Sequence, residues 1–173
     1  MVSVDCLDLE VQEPWPFNPR LSPMWYSHKF KGPGLRYEVA VSILGGDIVW
    51  ICGPFPCGRM NDLMIFREGG LKDALERGER VEADDGYVAL DPQFVRSKSG
   101  AFHPEETKII RNRIMARQET ANKRLTQWNV LAQVFRHALS KHSICFRAVA
   151  NISQLAIEDG DPLFAVEGIE DYY

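Results

Sequence analysis

Leu35–Ile43 reads LRYEVAVSI, and this stretch decides the architecture. Leu35, Tyr37, Val39, Val41 and Ile43 alternate with Arg36, Glu38, Ala40 and Ser42. A period of two, rich in β-branched residues, describes a strand with one face toward a core. Gly45-Gly46-Asp47 then turns the chain. The continuously apolar Ile48–Cys52 is expected to return as a buried strand, so the two make an antiparallel hairpin.

On the N-terminal side, Val2–Val11 reads as a third strand. Val2, Val4 and Cys6 lie on one side, and Leu7, Leu9 and Val11 on the other. Apolar residues on both faces suit a central strand. Residues 13–34 carry five prolines and two glycines and are expected to form a loop. On the C-terminal side, Gly53–Gly58 is a second loop. Asn61 or Asp62 can cap a short helix through Arg67, and Leu71–Arg77 suits another short helix before Gly78. Arg80–Asp84 reads as a strand, and Phe94–Arg96 as a short edge strand. Pro104, Glu105 and Glu106 open a helix that runs to about Thr126, with proline in the first turn and acids at the positive dipole end. Helices over Gln127–Leu139 and Ser143–Glu158 follow, stopped by Gly160.

Three leading strands followed by helix–strand alternation indicate an α/β domain, a mixed sheet with helices packed on it. That layout fits a ribonuclease-H-like fold over residues 1–160, with an acidic tail over 161–173.

The chain has 173 residues, 45% hydrophobic and 25% charged, enough to bury a single core. No apolar run approaches the ~20 residues of a membrane span. The N-terminus shows no secretory signal pattern, so a nuclear or cytoplasmic, non-secreted protein is expected. Cys6, Cys52, Cys57 and Cys145 form no C-x-x-C pair and read as buried thiols. His137 and His142 are five apart, which misaligns them as a metal pair on a helix. Trp25, Trp50 and Trp128 read as packing residues rather than base-stacking platforms. A net charge of −4 weighs against tight unaided DNA binding.

Three acids stand out. Asp5 lies on the first strand, Asp84 ends a later one, and Glu119 lies in the long helix. Only the fold can bring them together, and a cluster of hard oxygen donors is what Mg²⁺ needs for phosphodiester chemistry. Helix geometry sets Glu119 opposite Ile110, Ile114, Ala121 and Leu125, beside Asn122 and Lys123. By itself that geometry favours a solvated glutamate.

Several motifs resemble a known family. They are Val4-Asp5 with Gln12-Glu13-Pro14, WYSHKFKGPGLRYE over residues 25–38, IVWICGP over 48–54 leading to NDLMIF over 61–66, EADDGY over 82–87, and ARQE over 116–119, with Arg136-His137 beyond. Together they resemble the catalytic domain of a DDE-superfamily endonuclease of the Harbinger-type transposase group. Cys6 stands where that family usually has glycine.

The resemblance implies a two-metal site. Asp5 is expected to bridge two Mg²⁺ (or Mn²⁺) ions ~3.5–4 Å apart, with Asp84 and Glu119 holding one each. Asp62, Asp85 and Asn122 are expected to support these ligands from behind. Arg113, Arg117, Lys123 and Arg124 are expected to contact DNA phosphates, with a solvated face or pairing to the acidic tail as the alternative. The implied partners are DNA and a separate DNA-binding protein, with an oligomer compatible and no membrane. The implied activity is DNA cleavage; the alternative is an inactive, transposon-derived interaction module that keeps the fold.

Overall fold

The structure is a computed structural model that describes residues 1–84, 87, 95–97 and 105–169. The strands are β1 (Val2–Glu10), β2 (Tyr26–Ser27), β3 (Gly32–Ser42), β4 (Ile48–Pro56), β5 (Val81–Ala83) and β6 (Val95–Ser97). The helices are α1 (Asp62–Glu68), α2 (Leu71–Ala74), α3 (Glu105–Thr126), α4 (Asn129–Ala132) and α5 (His142–Glu158). Short 3₁₀ turns cover Ser22–Trp25 and Leu139–Lys141.

The described strands form one mixed, curled sheet, with an α/β arrangement around it. β3 pairs antiparallel with β1 on one edge and with β4 on the other. β1 pairs parallel with β5, and β5 parallel with β6. The tiny β2 pairs with the start of β3, at Gly32 and Pro33. β1 is therefore central, as its two apolar faces anticipate.

β3 departs from the half-buried strand expected of its alternation. Val39, Ala40 and Val41 are fully buried, and so is Glu38. Tyr37 and Val39 pack with Leu9, Val11, Leu125, Phe146 and Val149. Ala40 packs with Val4, Cys6, Ile65, Phe66, Val81 and Tyr87 on the opposite side. Helices cover both sides, so alternation here separates two cores rather than core from water. β4 departs the other way. It is an edge strand, and Val49 is 52% exposed. Pro54 and Pro56 suit an edge, where a missing N–H is tolerated. Gly53 has φ +135°, and a Cβ there would stand 2.7 Å from Tyr37 Cδ1 and 2.8 Å from the Arg36 carbonyl oxygen. Only glycine fits that position.

Of the two candidate caps for α1, Asn61 takes the role: its Oδ1 accepts from the Met64 N–H at 2.9 Å. Gly160 ends α5 at φ +104°, as expected. α2 stops at Ala74, short of Arg77.

The helix expected over Gln127–Leu139 is a correction. Only Asn129–Ala132 is helical, and Gln133 is extended. Phe135 instead continues the edge of β1: its N–H donates to the Glu10 carbonyl, and its own carbonyl accepts from Gln12 N–H, both at 2.9 Å. Two ladder bonds and burial of the Phe135 ring (4% exposed) override the local helical pattern. The tail also differs from a free acidic segment. Leu163, Val166 and Ile169 are buried, packing with Ala121, Ile157, Ile114 and Ile43. Among the described residues, no helix is long and apolar enough to cross a membrane.

Candidate functional site

Asp5 sits mid-strand on β1, opposite Val39. Neighbouring odd-numbered residues of β1 face α3. Ser3 Oγ donates to Gln118 Oε1 at 2.7 Å, and Asp5 Oδ2 accepts from Asn122 Nδ2 at 2.8 Å. Asp5 Oδ1 accepts from the Cys6 N–H at 2.8 Å. Gln118 Nε2 donates to the Val39 carbonyl at 3.1 Å and to Asn122 Oδ1 at 3.2 Å. Gln118 is fully buried and Asn122 is 6% exposed. A buried amide pair therefore fastens α3 to the middle of the sheet and aims Asn122 at Asp5. Asn122 is one of the residues named from sequence, and its amide donates to Asp5.

Asp84 follows β5 directly, and β5 is the parallel neighbour of β1. The parallel pairing brings Asp84 within electrostatic reach of Asp5. Burial pushes the Asp5 carboxyl up to about 6; the Lys29 ammonium and the Cys6 N–H oppose this, while the charges of Asp84 and Asp62 add to it. Lys29 Nζ donates to the Cys6 carbonyl at 2.8 Å, beside Asp5.

Asp62 opens α1 on the other side of the sheet, 2.9 Å from Arg36 Nη1. Burial raises its carboxyl, against the pull of Arg36 and Lys29 and helped by Asp84. Arg36 Nε also meets Asp8 Oδ1 at 2.6 Å, and Ser27 Oγ donates to Asp8 Oδ2 at 2.5 Å. Asp8 is held below the usual carboxylate range: the Arg36 and Ser27 hydrogen bonds outweigh its burial. Arg36 thus ties Asp62 at the start of α1 to β3. Asp85 lies outside the described residues.

Glu119 is exposed. It lies three residues before Asn122, hence about 60° around α3 and on its adjoining surface. Among the described residues, no three His, Cys, Asp or Glu side chains stand close enough together to hold a metal ion. The charges of Asp62 and Asp84 act on Asp5, while Glu119 lies on the solvent side of α3.

A family model described as DDE superfamily endonuclease matches residues 4–155. The chain belongs to this family. No curated protein and no solved structure matches it at a level that supports comparison.

The endonuclease family implies DNA as substrate, and divalent metals generally serve its chemistry. The donor set here fits such a cation in kind. Asp5 and Asp84 are hard carboxylates whose charges work against each other, and Arg36 already serves Asp8 and Asp62.

The basic residues of α3 require a correction. Arg117 is 2% exposed, and its guanidinium donates to the Ser42 carbonyl at 3.0 Å and to that of Ile43. It secures the end of β3 and is not open to a phosphate. Arg124 donates to the carbonyls of Asp161 and Pro162 and meets Asp161 Oδ1 at 3.2 Å. Arg113 pairs with Glu167 at 3.2 Å. Both hold the C-terminal segment, the alternative raised from sequence. Lys123 is exposed and keeps the capacity to meet phosphate.

Sequence reasoning missed the roles of Gln118, Arg36 and Asp8. The signal available was weak: a Gln-x-x-x-Asn spacing on a helix and a lone Arg-Asp pairing across two strands.

Proposed function

We propose that this endonuclease cleaves DNA phosphodiester bonds at a site built on Asp5, Asp84 and Glu119, in the manner of a transposase of the Harbinger type. The supporting observation is Asp5 on the central strand, hydrogen-bonded by Asn122 of α3 and flanked by Asp84 from the parallel neighbour β5. The strand order supports a ribonuclease-H-like reading: β4, β3, β1, β5 and β6 run side by side, the first three antiparallel and the last three parallel.

Asp5, Asp84 and Glu119 would hold Mg²⁺ or Mn²⁺, two ions in this reading. Such ions, when bound, activate an attacking water or 3′-hydroxyl and stabilise the leaving oxygen. The chain's own residues do the rest. Asn122 orients the Asp5 carboxylate. Arg36 pairs with Asp62 and holds it in place behind Asp5. Lys29, exposed beside Asp5, offers an ammonium to a non-bridging phosphate oxygen. DNA recognition is assigned to a separate partner protein, and chromosomal DNA as target implies a nuclear site of action.

Nicking of supercoiled plasmid in Mg²⁺ or Mn²⁺ tests this reading. Glu119→Gln is the sharpest variant. Glu119 is exposed, so its stability should change by less than ~0.5 kcal/mol, while nicking should be lost. Asp5→Asn should also abolish nicking. Full activity in Glu119→Gln would remove Glu119 from the site.

The solvent-facing Glu119 favours a second reading, an inactive interaction module of transposon origin. Calorimetric titration with Mn²⁺ separates the two. Heat that appears in the parent chain and vanishes in Asp5→Ala supports the nuclease; no heat in either supports the module.

A further inference from the structure

α5 has two contrasting faces. His142, Phe146, Val149, Ala150, Ser153 and Ile157 are buried against the sheet and α3. On the far side, Ile144 is 67% exposed, Ile152 46% and Leu155 60%. Ala148 is exposed between them, and Ala156 is exposed just beyond Leu155 at the stripe's flank. At 100° per residue, Ile144, Ala148, Ile152 and Leu155 share a stripe roughly 80° wide, turned away from the core. Single exposed apolar residues are ordinary, but a continuous row along one helix needs a reason.

Charge identifies the occupant. Exposed Lys141 stands at the N-terminal end of the stripe, and exposed Glu158 and Asp159 at its C-terminal end. Consider two copies of α5 laid antiparallel about a two-fold axis near Ala150. Ile144 of one copy then meets Leu155 and Ala156 of the other, and Ala148 meets Ile152. Lys141 of each copy falls beside the Glu158–Asp159 pair of the partner copy, twice by symmetry. A parallel arrangement sets Lys141 against Lys141 and acid against acid. The antiparallel arrangement also opposes the two helix dipoles. The small Ala148 and Ala156 allow the backbones to approach.

We propose that the outer face of α5 is a homodimer interface, isologous and antiparallel. α5 has 17 residues, about 25 Å of helix. A face that small lies at the low end of specific interfaces, so the dimer should form at micromolar concentration.

Sedimentation equilibrium of the 173-residue chain tests this, over roughly 1–200 μM. A monomer–dimer equilibrium is expected. Ile144→Glu and Leu155→Glu, at solvent-facing positions, should each weaken association at least ~10-fold, about 1.4 kcal/mol or more, with an unchanged melting midpoint in dilute solution. Lys141→Glu should weaken it too, and adding Glu158→Lys with Asp159→Lys should restore it. Three outcomes overturn the proposal. The parent chain could stay monomeric throughout, as when another segment of the chain or a different protein covers the stripe. A dimer could be indifferent to both glutamate variants. The reversed charges could fail to restore what Lys141→Glu removes.

Discussion

Tyr37 and Glu38 are neighbours on β3, and they open onto two different interiors. Under α5, the Tyr37 ring stacks on Phe146 with centroids 3.8 Å apart, and its hydroxyl meets His142 Nδ1 at 2.8 Å. Burial lowers His142 to about 4, so its imidazole is uncharged at neutral pH. One residue on, Glu38 Oε2 accepts from Trp50 Nε1 at 3.1 Å, while its buried Oε1 has no hydrogen-bond partner. Around it lie Asp62, Cys6 and Tyr87, whose thiol and hydroxyl meet at 3.2 Å. The aromatic region joins ring stacking to one neutral hydrogen bond. The acidic region sets the Glu38 carboxyl within reach of Asp62, whose charge adds to burial in raising it, and perturbed groups of this kind cluster at functional sites. Aromatic packing and buried acid thus occupy opposite faces of one strand.

Deleting the partner of a buried charge should cost far more than deleting a neutral hydroxyl of the aromatic region. Arg111 Nε lies 2.8 Å from Glu82 Oε2, with the Glu82 side chain inaccessible and that of Arg111 4% exposed. Their N–H and oxygen are not aligned as a hydrogen bond, so the contact is an ion pair. Arg111→Ala should cost about 3–5 kcal/mol, because a buried carboxylate loses its guanidinium. Replacing both, with Arg111→Met and Glu82→Leu, should recover most of that loss. Tyr37→Phe, in the aromatic region, should cost only about 1 kcal/mol. Urea denaturation measures all three, and similar losses for Arg111→Ala and Tyr37→Phe would erase the contrast.

Asn122 lies between structure and chemistry. Asn122→Ala removes its bonds to Asp5 and Gln118, for a loss of about 1–3 kcal/mol. Cleavage should fall further than folding accounts for, by roughly 10–100-fold, as when a ligand loses the group that orients it. The rate is compared with Thr120→Ala, an intermediate-burial position whose hydroxyl only bonds back to Ala116 at 2.9 Å. Equal rates in the two variants would leave Asn122 a purely structural residue.

Much of this comparison could be read in the sequence, for identifiable reasons. The alternation of LRYEVAVSI gave the strand, because period two survives whichever faces are covered. It could not reveal that Glu38 is buried, since an acid on the second face normally signals water. Pro104 and the acids after it announced a helix that ends at Thr126, because local chemistry governs its ends. The stretch around Phe135 escaped because its partner is Glu10, 125 residues away, and no local pattern records that pairing. Asp5 and Asp84 were legible as acids on a first strand and at the end of a later one, while the mid-strand place of Asp5 came only with the pairing of β1. Arg117 was misassigned because a buried arginine that caps a strand's carbonyls has the same helical spacing as one facing solvent.

A further expected effect is a slope with pH. Burial raises Glu38 to about 7 from its ordinary 4.5. As pH rises, the unfolded chain releases this proton first and the folded chain keeps it longer. Between about 4.5 and about 7 the folded state binds more protons, so stability falls with rising pH, and the whole cost is present above 7. Glu38→Gln removes that titration. Relative to the parent chain, the variant should gain on the order of 1–3 kcal/mol between pH 4 and pH 8. His142 titrates with the opposite sign. Its folded value of about 4 lies below the ordinary 6.5, so the aromatic region loses stability as pH falls through that window. The His142 slope is common to parent and variant and cancels in their difference. Melting curves across pH therefore isolate the acidic region, and a parent–variant difference that stays flat from pH 4 to pH 8 would mean that Glu38 titrates alike in the folded and unfolded chains.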